Sequence, residues 1–333
     1  MIKTGGLLLI LLVIVTATGF YGKVMAAEKK PIKIGYDLWP GYAALVIAKE
    51  KGYFAEEGLN LKIIKYSDYL KGWDDFSNNN LDGHFGVFTD TIVKRSEGFN
   101  IKTVYFTDAS YGQDVIVAKK EIRTIADLMD KKISVIGINS FSHIWVSALL
   151  EKNGLNEVDV QFANIDNSAV PRALASGEID AGHTYGPFVA EAVKAGFHIL
   201  DGATTKEVHG IIVDDLAFHS KFIKERSDDI SKIIKSLNRA VQFLQTNQLE
   251  SHAIVSKDFE MDIQDVAAYF KDAKIFNVEN NKQLLNKKTP GSIHETFETI
   301  TSFLLKRGQL PEVLYFKDII EPKFIQGQKE LKK

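Results

Sequence analysis

The residues best suited to chemistry in this chain are aromatics, aspartates and small hydroxylated residues that follow apolar runs. Trp39-Pro40-Gly41-Tyr42 follows Ile32 to Tyr36, and Ser140-Phe141-Ser142-His143 comes shortly after Ile133 to Gly137. Thr89-Asp90 follows Gly83 to Phe88, and Thr184-Tyr185-Gly186-Pro187 ends the run from Ile179. Asp114 and Asp214 stand at two extended stretches, Asp114 to Lys119 and Ile211 to Phe218. Trp39, Tyr42, Phe141 and Tyr185 offer stiff walls whose ring faces attract ammonium groups. The plainer reading is that one or two of them, Tyr42 above all, are simply core. Asp90, Asp114 and Asp214 could accept from an ammonium or a ring N–H. Their plainer roles are a helix cap for Asp90 and hinge hydrogen bonds for the other two. Ser140, Phe141 and Ser142 open a helix. Free N–H groups and the helix dipole there favour a sulfonate, carboxylate or phosphate. The plainer role of either serine is an N-cap.

Histidines 84, 143, 183 and 209 do not form an i, i+4 pair with a flanking carboxylate, so they read as structural and no metal is expected. The chain has no P-loop, no GxSxG and no evident serine–histidine–aspartate pattern. Neither nucleotide hydrolysis nor a cofactor is expected.

The elements that hold these residues alternate between strand and helix, which predicts a largely parallel sheet covered on both faces. Ile32 to Tyr36, Leu61 to Tyr66, Gly83 to Phe88 and Thr103 to Thr107 read as strands. Helices are expected at Tyr42 to Lys51, Trp73 to Asn79 and Thr89 to Arg95. Thr124-Ile125-Ala126-Asp127 is a capping box at a short helix start. The pattern then repeats: strands at Ile133 to Gly137, Val158 to Phe162, Ile179 to Thr184 and Phe197 to Leu200, with helices between. Ile34 matches Val135, Gly58-Leu59 matches Gly154-Leu155, and Leu81-Asp82 matches Ile179-Asp180. The offsets stay at roughly 96 to 101 positions, which points to two lobes of like build. The two extended stretches cross between them. In such sheets ligands bind beyond the carboxyl ends of the strands, where the candidate residues cluster. From Ser220 onward the chain is expected to be mostly helical, with Ile230, Ile233, Ile234 and Leu237 at helical spacing.

Composition agrees with a soluble globular protein: 45 % hydrophobic and 25 % charged residues in 333. Net charge is −2, without the basic excess of a nucleic-acid binder. The chain has no cysteine, which excludes disulfides, thiolate sites and a cysteine lipid anchor. Lys3, the apolar run Gly6 to Thr18 and Val24-Met25-Ala26 have the form of a secretory signal peptide over 1–26, with an uncleaved anchor as the alternative.

The run from Gly35-Tyr36 through Ala48-Lys49-Glu50-Lys51-Gly52-Tyr53-Phe54-Ala55-Glu56-Glu57-Gly58-Leu59 resembles the opening of a known family. The family comprises the nitrate, sulfonate, taurine and thiamine-precursor-like substrate-binding proteins of ABC importers. Asp114 to Lys119, Ala126-Asp127-Leu128, and Gly177 to Ala181 with Pro187 resemble its later blocks. The resemblance covers roughly residues 32 to 220. It implies a type II periplasmic-binding fold: two α/β lobes, each a mostly parallel sheet flanked by helices, joined by two crossover strands. The expected boundaries are 32–114 plus 215–325 for one lobe, 115–214 for the other, and a polar tail at 326–333. It implies ligand contacts at Trp39, Thr89, Asp90, Ser140 to Ser142, and Thr184-Tyr185. Many relatives carry Trp-Glu-Pro where this chain has Tyr185-Gly186-Pro187, so a possible acidic contact is missing. The expected function is a periplasmic, monomeric solute-binding protein, not an enzyme, that delivers a small organic molecule to an ABC permease and ATPase. A sulfonate or taurine-like ligand heads the reading. A pyrimidine or thiamine-precursor-like ring, or a ligand-sensing ectodomain, is the alternative.

Overall fold

The computed structural model describes residues 30–310 and 313–328. The expected signal peptide, 1–26, lies outside them, as do residues 329–333 of the expected tail.

Two sheets flanked by helices form the frame. The first holds β1 (Ile32–Tyr36), β2 (Leu61–Lys65), β3 (Gly83–Val87), β4 (Ile101–Ala109), β10 (Val213–His219) and β11 (Lys274–Ile275). The second holds β5 (Val115–Ala118), β6 (Lys132–Val135), β7 (Gln161–Asn164), β8 (Ala181–Thr184) and β9 (His198–Thr204). Their spatial orders are β11-β4-β10-β3-β1-β2 and β7-β6-β8-β5-β9. Read from opposite ends, the orders superpose: β1 on β6, β2 on β7, β3 on β8, β4 on β9 and β10 on β5. The internal repeat expected from the sequence is therefore a repeat of topology.

Each sheet also contains one strand that arrives from the other. β5 follows β4 and pairs antiparallel with β8 and β9. β10 follows β9 and pairs antiparallel with β3 and β4. The remaining central pairings are parallel. Parallel strands covered on both faces read as unbroken buried runs, and every residue of β3 and β8 is buried. Gly83 is required by that packing, because a Cβ there would lie 2.5 Å from the Phe218 ring. The matched turn glycines Gly58 and Gly154 both take left-handed φ, at 69° and 81°, where a side chain would be strained.

Several boundaries move for local reasons. The helix expected at Trp73 to Asn79 spans Tyr69–Ser77, because the Asp68 side chain caps it by accepting from the Lys71 N–H at 3.0 Å. β7 begins at Gln161 because a capping box between Asn156 and Asp159 turns Glu157–Asp159 into a 3-10 helix. The helix near Asp90 is Phe88–Ser96, so Thr89 and Asp90 lie in its first turn and do not cap it. The capping box of Thr124 and Asp127 forms as expected. In the helix Ser227–Thr246, Ile230, Ile233, Ile234 and Leu237 are all buried. Among the described residues, no helix is long and apolar enough to cross a membrane.

Candidate functional site

The topology brings the ends of β1, β3 and β8, the two crossovers and one helix start to a common point. A narrow cavity lies there, lined by Asp37, Trp39, Tyr42, Tyr69, Val87, Asp114, Phe141, Tyr185, Ile212 and Asp214. Trp39 stands just before the 3-10 turn Pro40–Tyr42, where proline sets the backbone of the first helical position. Its indole N–H donates to Asp108 Oδ2 at 2.8 Å. Its ring meets Tyr185 and Tyr269 edge-on, with centroids 5.2 and 5.4 Å away. Trp39 follows β1 of the first sheet and Tyr185 follows β8 of the second, so this contact joins the two walls. Tyr69 and Phe141 make a second such pair, at 5.2 Å.

The acidic groups of the lining are three aspartates, set among the polar tips of Trp39, Tyr42, Tyr69 and Tyr185. The Tyr42 hydroxyl donates to Asp214 Oδ1 at 2.7 Å, and Asp114 Oδ1 lies 3.0 Å from His183 Nε2. The other oxygens, Asp214 Oδ2 and Asp114 Oδ2, have no hydrogen-bond partner among the described residues, and neither does Asp37 Oδ1. These three aspartates are 1–3 % exposed. A buried polar atom left unpaired costs about 1–3 kcal/mol. Burial, then the charge of Asp166, pushes the Asp37 carboxyl well above the usual carboxylate range. Burial, then the charge of Asp108, does the same to Asp214. No lysine, arginine or histidine is among the lining residues. Among the described residues, no group of three or more histidines and carboxylates is arranged to hold a metal.

Of the expected site residues, Trp39, Tyr42, Asp114, Phe141, Tyr185 and Asp214 line the cavity. Thr89, Asp90, Ser140, Ser142 and Thr184 do not, and each has a partner elsewhere. Thr89 Oγ1 donates to the Ile211 carbonyl at 2.7 Å, and Thr184 Oγ1 donates to the Asn167 carbonyl at 3.0 Å. Ser140 is the N-cap of the helix Phe141–Lys152, accepting from the His143 N–H. Ser142 is fully buried against His183.

The helix start expected to receive an anion already receives one from the chain itself. Asp90 Oδ1 accepts the Phe141 N–H at 2.7 Å, and Asp90 Oδ2 accepts the Tyr69 hydroxyl at 2.6 Å. Asp90 thus ties the start of the helix Phe141–Lys152 to Tyr69, two neighbours that line the cavity.

Asp37, Tyr69, Val87 and Ile212 were not among the expected residues. Asp37 directly follows β1, so the rule that placed Trp39 at the carboxyl end of a strand also covers it. Tyr69 follows the cap Asp68 and stands three residues past Tyr66, the expected end of a strand.

The chain is 23% identical over 330 residues to a Bacillus subtilis (strain 168) protein named "Putative aliphatic sulfonates-binding protein", with 96% of each chain covered. It is 24% identical over 299 residues to a "Putative thiamine biosynthesis protein" of Haemophilus influenzae, covering 88% of this chain and 91% of that one. Its fold matches the alkanesulfonate-binding protein SsuA from Xanthomonas axonopodis pv. citri, solved bound to MOPS. That match has a TM-score of 0.74 at 15% identity and covers 89% of this chain and all of the other. The architecture is therefore the two-lobed periplasmic-binding fold expected from the sequence. The NMT1/THI5-like family profile matches residues 39–251, and the chain belongs to that family.

Proposed function

We propose that this chain is the extracytoplasmic solute-binding component of an ABC importer and that its ligand is a small, cationic, N–H-rich molecule with an unsaturated ring. The lobes are 32–114 with 215–325, and 115–214. They close on the ligand as a monomer and present it to a permease and its ATPase. The protein binds and releases its ligand without transforming it. Two of the relatives described above carry binding-protein names, which supports that reading.

One observation carries the choice of ligand: Asp37, Asp114 and Asp214 each hold an unpartnered buried oxygen on a single aromatic-walled cavity. Ammonium or ring N–H donors would pair with those oxygens through charge-assisted bonds. The rings of Trp39, Tyr42 and Tyr185 add flat area and a negative face. A sulfonate has no comparable partner. It would meet carboxylates, and the helix start suited to it holds Asp90. The thiamine name of one relative fits an aminopyrimidine, which combines a ring, an exocyclic amine and a basic nitrogen.

A thermal-shift panel tests this reading. The ammonium-bearing 4-amino-5-aminomethyl-2-methylpyrimidine should raise the melting temperature, whereas methanesulfonate and nitrate should leave it unchanged. Stabilisation by the anions and not by the amine sinks the proposal.

A further inference from the structure

Asp114 is the one cavity aspartate held by an imidazole, and that imidazole is itself held from behind. The Ile136 N–H points to Ser142 Oγ at 3.2 Å. Ser142 Oγ lies 2.7 Å from His183 Nδ1, and His183 Nε2 lies 3.0 Å from Asp114 Oδ1. The polarity of this chain follows from its last member. The Asp114 carboxylate can only accept, so the ring hydrogen sits on Nε2, aimed at Oδ1. Nδ1 is then an acceptor, and it takes the Ser142 hydroxyl hydrogen, while Ser142 Oγ accepts the Ile136 N–H. The ring nitrogen that carries the proton is set by what the other one bonds.

His183 and Ser142 are fully buried. The His183 ring is packed by Phe141 and Trp145, with centroids 5.7 and 5.0 Å away. Serine, histidine and aspartate in series suggest a nucleophilic triad, but the order here does not serve one. Ser142 is sealed from the cavity, and the residue that reaches it is the aspartate.

We propose that His183 and Ser142 are positioning residues for the ligand. The relay fixes the Asp114 carboxylate with Oδ1 tied back and Oδ2 presented to the cavity as an acceptor. It joins β6, the helix Phe141–Lys152, β8 and the first crossover, so the ligand-facing oxygen is placed by the second lobe as a unit. The inference rests on the reading above that Asp114 faces the ligand, and it deepens that reading.

Nitrogen-15 NMR of the mature protein tests the relay without any ligand. His183 should show the Nε2–H tautomer, and Ser142→Ala should shift its Nδ1 resonance. A dominant Nδ1–H tautomer overturns the proposal. The second arm uses 4-amino-5-aminomethyl-2-methylpyrimidine as probe. Glutamine keeps a donor and an acceptor, so His183→Gln should bind within about threefold of the parent. His183→Leu should bind at least about tenfold more weakly, the scale of one hydrogen bond to a charged group. Melting temperatures of both variants check folding. Parental affinity in a folded His183→Leu protein overturns the positioning role. A parent protein that ignores the probe but shows the expected tautomer would sink the ligand reading and leave the relay standing.

Discussion

Asp214→Asn should weaken binding of a cationic aminopyrimidine by about 30-fold or more, the scale of removing one partner from a buried charge pair. Asparagine keeps the volume and still offers Oδ1 to the Tyr42 hydroxyl, which Asp214 now accepts at 2.7 Å. What changes is the atom facing the cavity. An unpartnered carboxylate oxygen is replaced by an amide N–H₂, a donor where the ligand also brings donors. The unliganded protein should lose no stability. Burial and the charges of Asp108, Asp114 and Asp37 already disfavour ionised Asp214, and the neutral side chain removes that strain. Calorimetric titration gives the first quantity and a melting scan the second. Parental affinity in the asparagine variant would remove Asp214 from the site.

Acidification from about pH 8 to pH 5 should stabilise the unliganded protein. Burial pushes Asp90, Asp108 and Asp215 each up to about 7 in the folded state, against an ordinary value of 3.8. Between those values the folded chain holds more protons than the unfolded one, so stability falls as pH rises. The contribution is complete below about pH 4 and is lost as pH climbs through about 7. Burial lowers His84 to about 3 and His143 to about 4, which opposes the gain below about pH 6.5. The net rise in melting temperature should be roughly 5 °C, since 1 kcal/mol is worth about 2–4 °C in a chain of somewhat smaller size. Binding responds in the opposite sense. A cation favours ionised aspartates, so it expels protons from Asp37 and Asp214, and affinity falls on acidification. A melting series across pH checks the first effect, and titration in buffers of different ionisation enthalpy checks the second. A melting maximum at neutral pH without ligand would contradict the placement of these carboxyls.

Much of the frame was legible because it is written in local patterns. β1 and β3, the glycine-closed helices and the Thr124–Asp127 box all rest on neighbours within a few residues, and they stand where the sequence put them. The repeat could be read because both lobes reuse the same turns. β3 and β8 even share a glycine–histidine pair, Gly83-His84 and Gly182-His183. The uses of those histidines could not be read. His84 packs among Trp73 and Phe76, and burial lowers it to about 3. His183 instead bridges Ser142 and Asp114, residues 41 and 69 positions away. The same limit applies to the helix start. Ser140 to Ser142 has the local form of an anion site, and only the fold brings Asp90, 51 positions earlier, to fill it. Asp37 shows a different lapse. Its place after β1 was visible, but a single aspartate two residues before a tryptophan carries little weight until its oxygen is seen buried and unpaired.

The central claim is that the cavity selects positive charge. Its most direct test is calorimetric titration of the protein with two ligands that differ at one ring substituent. These are 4-amino-5-aminomethyl-2-methylpyrimidine and its 5-hydroxymethyl counterpart, with methanesulfonate as the anionic control. The ammonium-bearing ligand should bind at least about tenfold more tightly than the alcohol, the scale of one charged hydrogen bond, and methanesulfonate should show no binding heat. Tighter binding of methanesulfonate than of either pyrimidine would contradict it.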